Sequence, residues 1–139
     1  MKMSVIKELI RTEADGTLSF GDYELAQKAK RSDYEHKGDL YKVKTFNEIT
    51  KLERNGLFVY ESVPGTAVEH FQMTEQGVSF SVEAAQDAQI ILGLAEDADY
   101  KIYIQNVDAG TMNTNTSGKL VLSVETEAAE SIQVKVVKL

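Results

Sequence analysis

A chain of 139 residues with no cysteine and no tryptophan has the size of one ordinary domain and can hold neither a disulfide framework nor a thiolate metal site. Its net charge of −7 is uneven: residues 1–55 hold 11 basic and 10 acidic side chains, whereas residues 56–118 hold one base, Lys101, against nine acids. An acidic surface repels phosphate backbones, no apolar run approaches the roughly 18 residues of a membrane helix, and the start lacks the apolar core of a signal peptide, so a cytoplasmic protein without nucleic-acid or membrane partners is expected.

Residues 4–11 fit two readings. Val5, Ile6, Leu9 and Ile10 recur at helical spacing, while Ile6, Glu8 and Ile10 alternate as in a strand. One short N-terminal helix and a first strand therefore both stand. Asp15-Gly16 then separates Ile6–Thr12 from Leu18–Leu25, and Asn55-Gly56 separates Ile49–Glu53 from Leu57–Val63. Both dipeptides favour the positive φ angles of a tight hairpin. Residues 26–38 show no buried period and a basic bias; they read as a long polar connection with at most an exposed strand ending at Tyr34. Pro64-Gly65 predicts a type II turn, with glycine at the position that needs positive φ. Gln76-Gly77 leads into Val78-Ser-Phe-Ser-Val82, with Val78, Phe80 and Val82 inward. Ala88–Leu94 follows, and Asp97-Ala-Asp99 turns the chain into Tyr100.

The end of the chain is the clearest part. Tyr100–Ile104, Lys119–Val124 and Ile132–Val137 alternate as strands, separated by gaps that hold Asn106–Gly110, Asn115–Gly118 and Glu127–Glu130. Turn signals recurring every 8–12 residues or so predict an all-β antiparallel β-sandwich or jelly roll of about 10–12 strands, in a single domain over residues 1–139. Leu57–Tyr60 and Gln89–Leu92 are apolar on both faces, which marks them as covered central strands or as a face that meets another subunit. A closed homo-oligomer is the corresponding expectation. Val134–Leu139 stays apolar to its last residue and should be paired, within its own sheet or with another copy.

Candidate chemistry is sparse. There are two histidines, and a histidine-based metal centre would need both, together with carboxylates from distant segments. His36 sits in a charged stretch, whereas His70 alternates with Val68 and reads as facing the core. Glu96-Asp97-Ala-Asp99 and Asp108 offer oxygen ligands without the spacing of a calcium loop. No nucleophile elbow or glycine-rich phosphate loop occurs. No metal, cofactor or catalytic residue is predicted. Tyr23, Tyr34, Tyr41, Tyr60 and Tyr103 could stack on sugar rings. The residues nominated for ligand binding are Tyr41, Tyr60, His70 and Tyr103.

Ile6–Tyr23, His36–Phe46 and Asn55–Val68, with Thr114–Leu120 and Val134–Val137, resemble a family of small proteins from clostridia and related Firmicutes that carries the label endosialidase. The resemblance implies action on glycans. Sialidases of the usual kind are six-bladed propellers that bind the substrate carboxylate with three arginines and repeat the box S-x-D-x-G-x-T-W. Arg11, Arg31 and Arg54 are the chain's three arginines, and no tryptophan completes the box, so no catalytic residue transfers by position. The C-terminal strands also resemble the small sandwich appended to polysaccharide-degrading enzymes, which implies sugar contact. The expected functions, in order, are a non-catalytic structural or interaction protein that self-associates, a glycan-binding module, and an endosialidase-like enzyme acting on glycans.

Overall fold

Alternation of apolar and polar side chains builds two sheets whose apolar faces meet. The computed structural model describes residues 5–126 and 131–139. Its strands are β1 (Ile10–Thr12), β2 (Leu18–Phe20), β3 (Ala29–His36), β4 (Asp39–Thr45), β5 (Thr50–Arg54), β6 (Leu57–Val63), β7 (Ala67–Thr74), β8 (Gly77–Glu83), β9 (Ala88–Gly93), β10 (Asp99–Ile104), β11 (Val107–Asn113), β12 (Lys119–Val124) and β13 (Ile132–Lys138). A seven-stranded sheet has the order β1-β2-β7-β8-β13-β10-β11, and a six-stranded sheet the order β12-β9-β6-β5-β4-β3. All pairings are antiparallel. A main apolar core fills the space between them, and Val5, Tyr23 and Ala67 form a small second cluster. At its centre Phe20 and Phe71 of the first sheet meet Tyr60 of the second edge to face, with Phe80 against both Tyr60 and Phe71. Such edge-on ring pairs add to the burial of area itself. The Tyr60 hydroxyl, enclosed with its ring, is satisfied by Thr66 Oγ1 at 2.8 Å.

The predicted all-β sandwich is the observed architecture, with thirteen strands among the described residues against the ten to twelve expected. Residues 5–9 lead irregularly into β1, and no helix occurs among the described residues; Gly21 instead anchors this segment through backbone bonds to Ile6 and Leu9. The stretch read as a polar connection contains β3, exposed along most of its length. The gap after Tyr100–Ile104 contains β11, which likewise buries neither face. Asn55 and Gly56 both have positive φ, as a tight hairpin requires. Pro64-Gly65 departs from type II geometry: Val63–Pro64 is cis and Gly65 is outside the left-handed region. Glycine serves there for close approach, since a Cβ would collide with the Phe46 carbonyl. Glu127–Glu130 lies outside the described residues. β13 is hydrogen-bonded on one side to β8 and on the other to β10, so the apolar last strand is paired within its own sheet. No described helix is long and apolar enough to cross a membrane.

The two long sides of the sandwich differ. On one, β1 and β3 are tied across the sheets by Thr12, whose Oγ1 lies 3.0 Å from both Tyr34 Oη and His36 Nδ1. His36 is therefore a buried strand end, packed against Tyr41, rather than a residue of a charged loop. Burial holds its pKa below the usual value of 6.5, aided by Lys37 and opposed by Asp39. The sign follows: the fold prefers neutral imidazole, so this contribution is complete above about pH 6.5 and is lost as pH falls through the lowered folded value. Thermal unfolding followed between pH 7.5 and 5.5 should show stability falling toward acid, with a shallower slope in His36→Gln. An unchanged slope in that variant would remove His36 from the account.

On the other long side, β11 and β12 are the free edges of their sheets. Val107 and Met112 of β11 and Val121 of β12 are exposed.

Candidate functional site

The most elaborated surface lies on the outer face of the seven-stranded sheet. Val68 and Phe71 are both buried, although three residues apart, a spacing a period-two strand cannot satisfy without an extra residue. β7 supplies it as a bulge between Glu69 and Gln72, where His70 takes a left-handed φ of 56°. The bulge reverses the alternation. His70 consequently leaves the core face on which Val68 sits and projects outward, contrary to the reading of its sequence neighbours. Its Nδ1 lies 3.0 Å from Thr17 Oγ1 and 3.1 Å from Asp15 Oδ2. Asp15 is itself held by the hydroxyl and amide of Thr17, at 2.6 and 3.0 Å. These two bonds, with His70 as a smaller contribution, keep the Asp15 carboxyl below its ordinary pKa.

From this wall a groove of about 370 Å³ runs across the sheet. Its floor is made of outward side chains, Ser79 and Ser81 of β8 and Gln133 and Lys135 of β13. Tyr103 and Asn106 form the far wall. A second bulge, between Ile102 and Tyr103, and the positive φ angles of Gln105 and Asn106 place them there. Gln105 locks the turn to the floor, because its Oε1 accepts from the Gln133 amide at 2.7 Å and its own amide donates to the Gln133 carbonyl at 2.8 Å.

Hydroxyls, amides, an imidazole, a phenol, one ammonium and one carboxylate thus converge on a shallow surface. The set suits reversible binding of a polar, hydroxyl-rich ligand. It does not form a nucleophilic relay. A hydroxyl–imidazole–carboxylate triad uses the two ring nitrogens for opposite partners, whereas Thr17 and Asp15 both address Nδ1.

A larger cleft, about 740 Å³, opens at one end of the sandwich, where Leu57, Phe58, Met73, Leu94 and Tyr100 line an apolar floor. Arg54, Glu75, Glu96 and Lys119 are its charged members. Lys119 stands over the Phe58 ring at 5.4 Å, leaving a mixed rim with no convergent polar constellation.

Of the four nominated residues, the groove unites His70 and Tyr103. Tyr60 is fully enclosed between the sheets and Tyr41 is 8 % exposed, facing the core from β4. With Tyr23 also buried, the five tyrosines form no coplanar row. Arg11 sits on β1 in the seven-stranded sheet, and Arg31 and Arg54 sit on β3 and β5 in the six-stranded one. Asp108 is paired with Lys101 at 2.6 Å and Asp99 with the Asn113 amide at 2.8 Å. Among the described residues no three histidine or carboxylate side chains gather as a metal set. Asp15, Thr17, Gln133 and Asn106 were not legible as site residues, because bulges and turns rather than sequence proximity bring them together. The Val68–Phe71 spacing was the available signal for the bulge. Comparison with protein-family models, curated proteins and solved structures finds no match.

Proposed function

We propose that this is a non-catalytic structural or interaction protein that self-associates through β11. The observation that carries the reading is an exposed edge with almost no charge. β11 is a seven-residue edge strand exposed along almost its whole length, and such an edge is a ready template for pairing with another chain. The opposite sheet protects its own edge, β3, with Lys30, Arg31, Asp33 and Glu35. β11 carries one charge, Asp108, already neutralised by Lys101. Its sequence also suits a second copy of itself. Antiparallel pairing centred on Gly110 sets Val107 against Asn113, Asp108 against Met112 and Ala109 against Thr111, with no like charges opposed. The same two-fold closes the assembly as a dimer.

Light scattering coupled to size-exclusion chromatography should find a dimer at micromolar concentration. The double variant Ala109→Lys, Thr111→Lys sets lysine against lysine across the two-fold and should weaken dimerisation roughly tenfold or more, with the monomer fold intact by circular dichroism. A wild-type chain that stays monomeric throughout the micromolar range rules the proposal out.

A second reading, glycan binding, is favoured by the His70 bulge. Non-glycine residues held at positive φ concentrate at binding sites, and the groove's hydroxyl and amide lining complements sugar hydroxyls. Calorimetric titration of hits from a glycan array should show binding lost in His70→Ala and Tyr103→Ala; a silent array counts against it.

A further inference from the structure

The outer face of the six-stranded sheet carries a row of like charges that Glu53, opposite Lys42 and paired with Lys51, relieves only in part. Lys30 of β3, Lys44 of β4 and Lys51 of β5 stand directly opposite one another, three ammonium-bearing chains at the strand spacing of about 4.8 Å. Lys42, two residues along β4, projects beside them, and all four line one shallow depression with Glu53. Lys28, placed just before β3 and above the Phe46 ring at 5.8 Å, extends the charge. Lys51 alone of the five is ion-paired among the described residues, to Glu53 at 3.7 Å. Like charges directly opposed across strands are destabilising, and here the same pair is repeated twice. Burial together with Lys28, Lys51, Lys30 and Lys42 lowers the Lys44 pKa. A third of the chain's 15 basic residues are gathered on one flat face, and the total charge of −7 leaves the rest of the molecule at −12.

We propose that this lysine row docks a linear polysaccharide bearing one carboxylate per repeat, laid across β3, β4 and β5. Four features select that occupant. A narrow chain touches the row without approaching the acidic remainder of the molecule, which would repel a nucleic-acid duplex or an anionic bilayer. Lys30, Lys42, Lys44 and Lys51 have neither an aromatic ring for base stacking nor an arginine fork for phosphate among them, the Phe46 ring lying under Lys28, whereas an ammonium is a point charge suited to a single carboxylate. β4 and β5 are bordered by strands on both sides, so free backbone groups occur only along the β3 edge, which Lys30, Arg31, Asp33 and Glu35 guard against strand pairing. A stiff polysaccharide also loses less conformational freedom on a rigid sheet than a flexible acidic polypeptide does. This face is separate from the β11 edge and from the His70 groove, and the inference depends on neither.

Binding of polygalacturonate to the full chain, followed by calorimetry at 50 and 200 mM salt, tests it, with polyglutamate, a single-stranded oligonucleotide and phosphatidylserine vesicles as the other probes. Neutralising about three charges should make affinity fall roughly tenfold over that salt range. Lys44→Glu with Lys51→Glu should reduce affinity at least tenfold. Lys7→Glu with Lys138→Glu, which changes net charge equally, should leave it unaltered. Lys44→Glu alone places a carboxylate between Lys30 and Lys51, so its melting temperature should hold or rise while binding falls, which separates lost binding from lost folding. Absence of binding at 50 mM salt, indifference to the Lys44 and Lys51 substitutions, or tighter binding of any other probe overturns the proposal.

Discussion

Phe20→Ala should destabilise the fold by about 3–5 kcal/mol, the range for deleting a buried ring. Phe20 is fully buried on β2, with ring centroids 5.2 Å from Tyr60 and 5.5 Å from Phe71. It therefore contacts both sheets, and truncation removes transfer energy and leaves a cavity between two surfaces that neighbouring strands hold apart. Urea unfolding should show a lowered midpoint with an unchanged slope, the signature of altered stability without altered unfolded-state exposure. Tyr60→Phe supplies the internal comparison. It keeps the ring and loses the bond to Thr66, for an expected cost of about 1 kcal/mol. If Phe20→Ala cost less than Tyr60→Phe, the aromatic cluster would not be the fold's centre.

Gly77→Ala should cost about 3–5 kcal/mol, from strain at positive φ combined with a backbone collision. Gly77 opens β8 at φ 142°, and an added Cβ would meet the carbonyl of Val136 on β13. The glycine is thus the condition for β13 to lie against β8 at that end. Gly56→Ala separates the two contributions, because its φ is 79° but no atom lies within 4 Å of the new methyl. Strain alone should cost about 1 kcal/mol there. Hydrogen exchange in Gly77→Ala should show protection lost first along β13 and β8. Equal costs at the two glycines would mean that the contact with β13 contributes nothing.

Where a strand buries one face, its sequence announces it: β8, β12 and β13 were read nearly to their ends from alternation alone. β3 and β11 were not, for one physical reason. Alternation records contact with a core, and these two edge strands have almost none, so no periodic constraint acts on their side chains. The histidines failed in opposite senses. His36 looked solvated because its neighbours are charged, yet it seals the junction with Thr12. His70 looked buried because it alternates with Val68, and the bulge reverses that relation. Two residues of the groove, His70 and Tyr103, were nominated from the sequence. Tyr41 and Tyr60 were nominated as aromatics able to stack, but the pleat turns both into the core. The lysine row required knowledge of pairing: Lys42 and Lys44 are visibly on one face of a strand, but only the register brings Lys30 and Lys51 beside them.

The position of β13 has a consequence for the order of events during synthesis. A strand made after all the other described strands lies inside the seven-stranded sheet, between β8 and β10. Until Ile132–Lys138 leaves the ribosome, the nascent chain carries two additional raw edges facing each other across an empty slot. The meander β3–β6 has no such dependence, since each strand pairs with the one made just before it. One sheet can begin to zip from its own hairpins during translation, while the other waits for its last strand. The pairings of β13 with β8 and β10 are long-range, and the exposed edges are a site for mispairing between neighbouring chains.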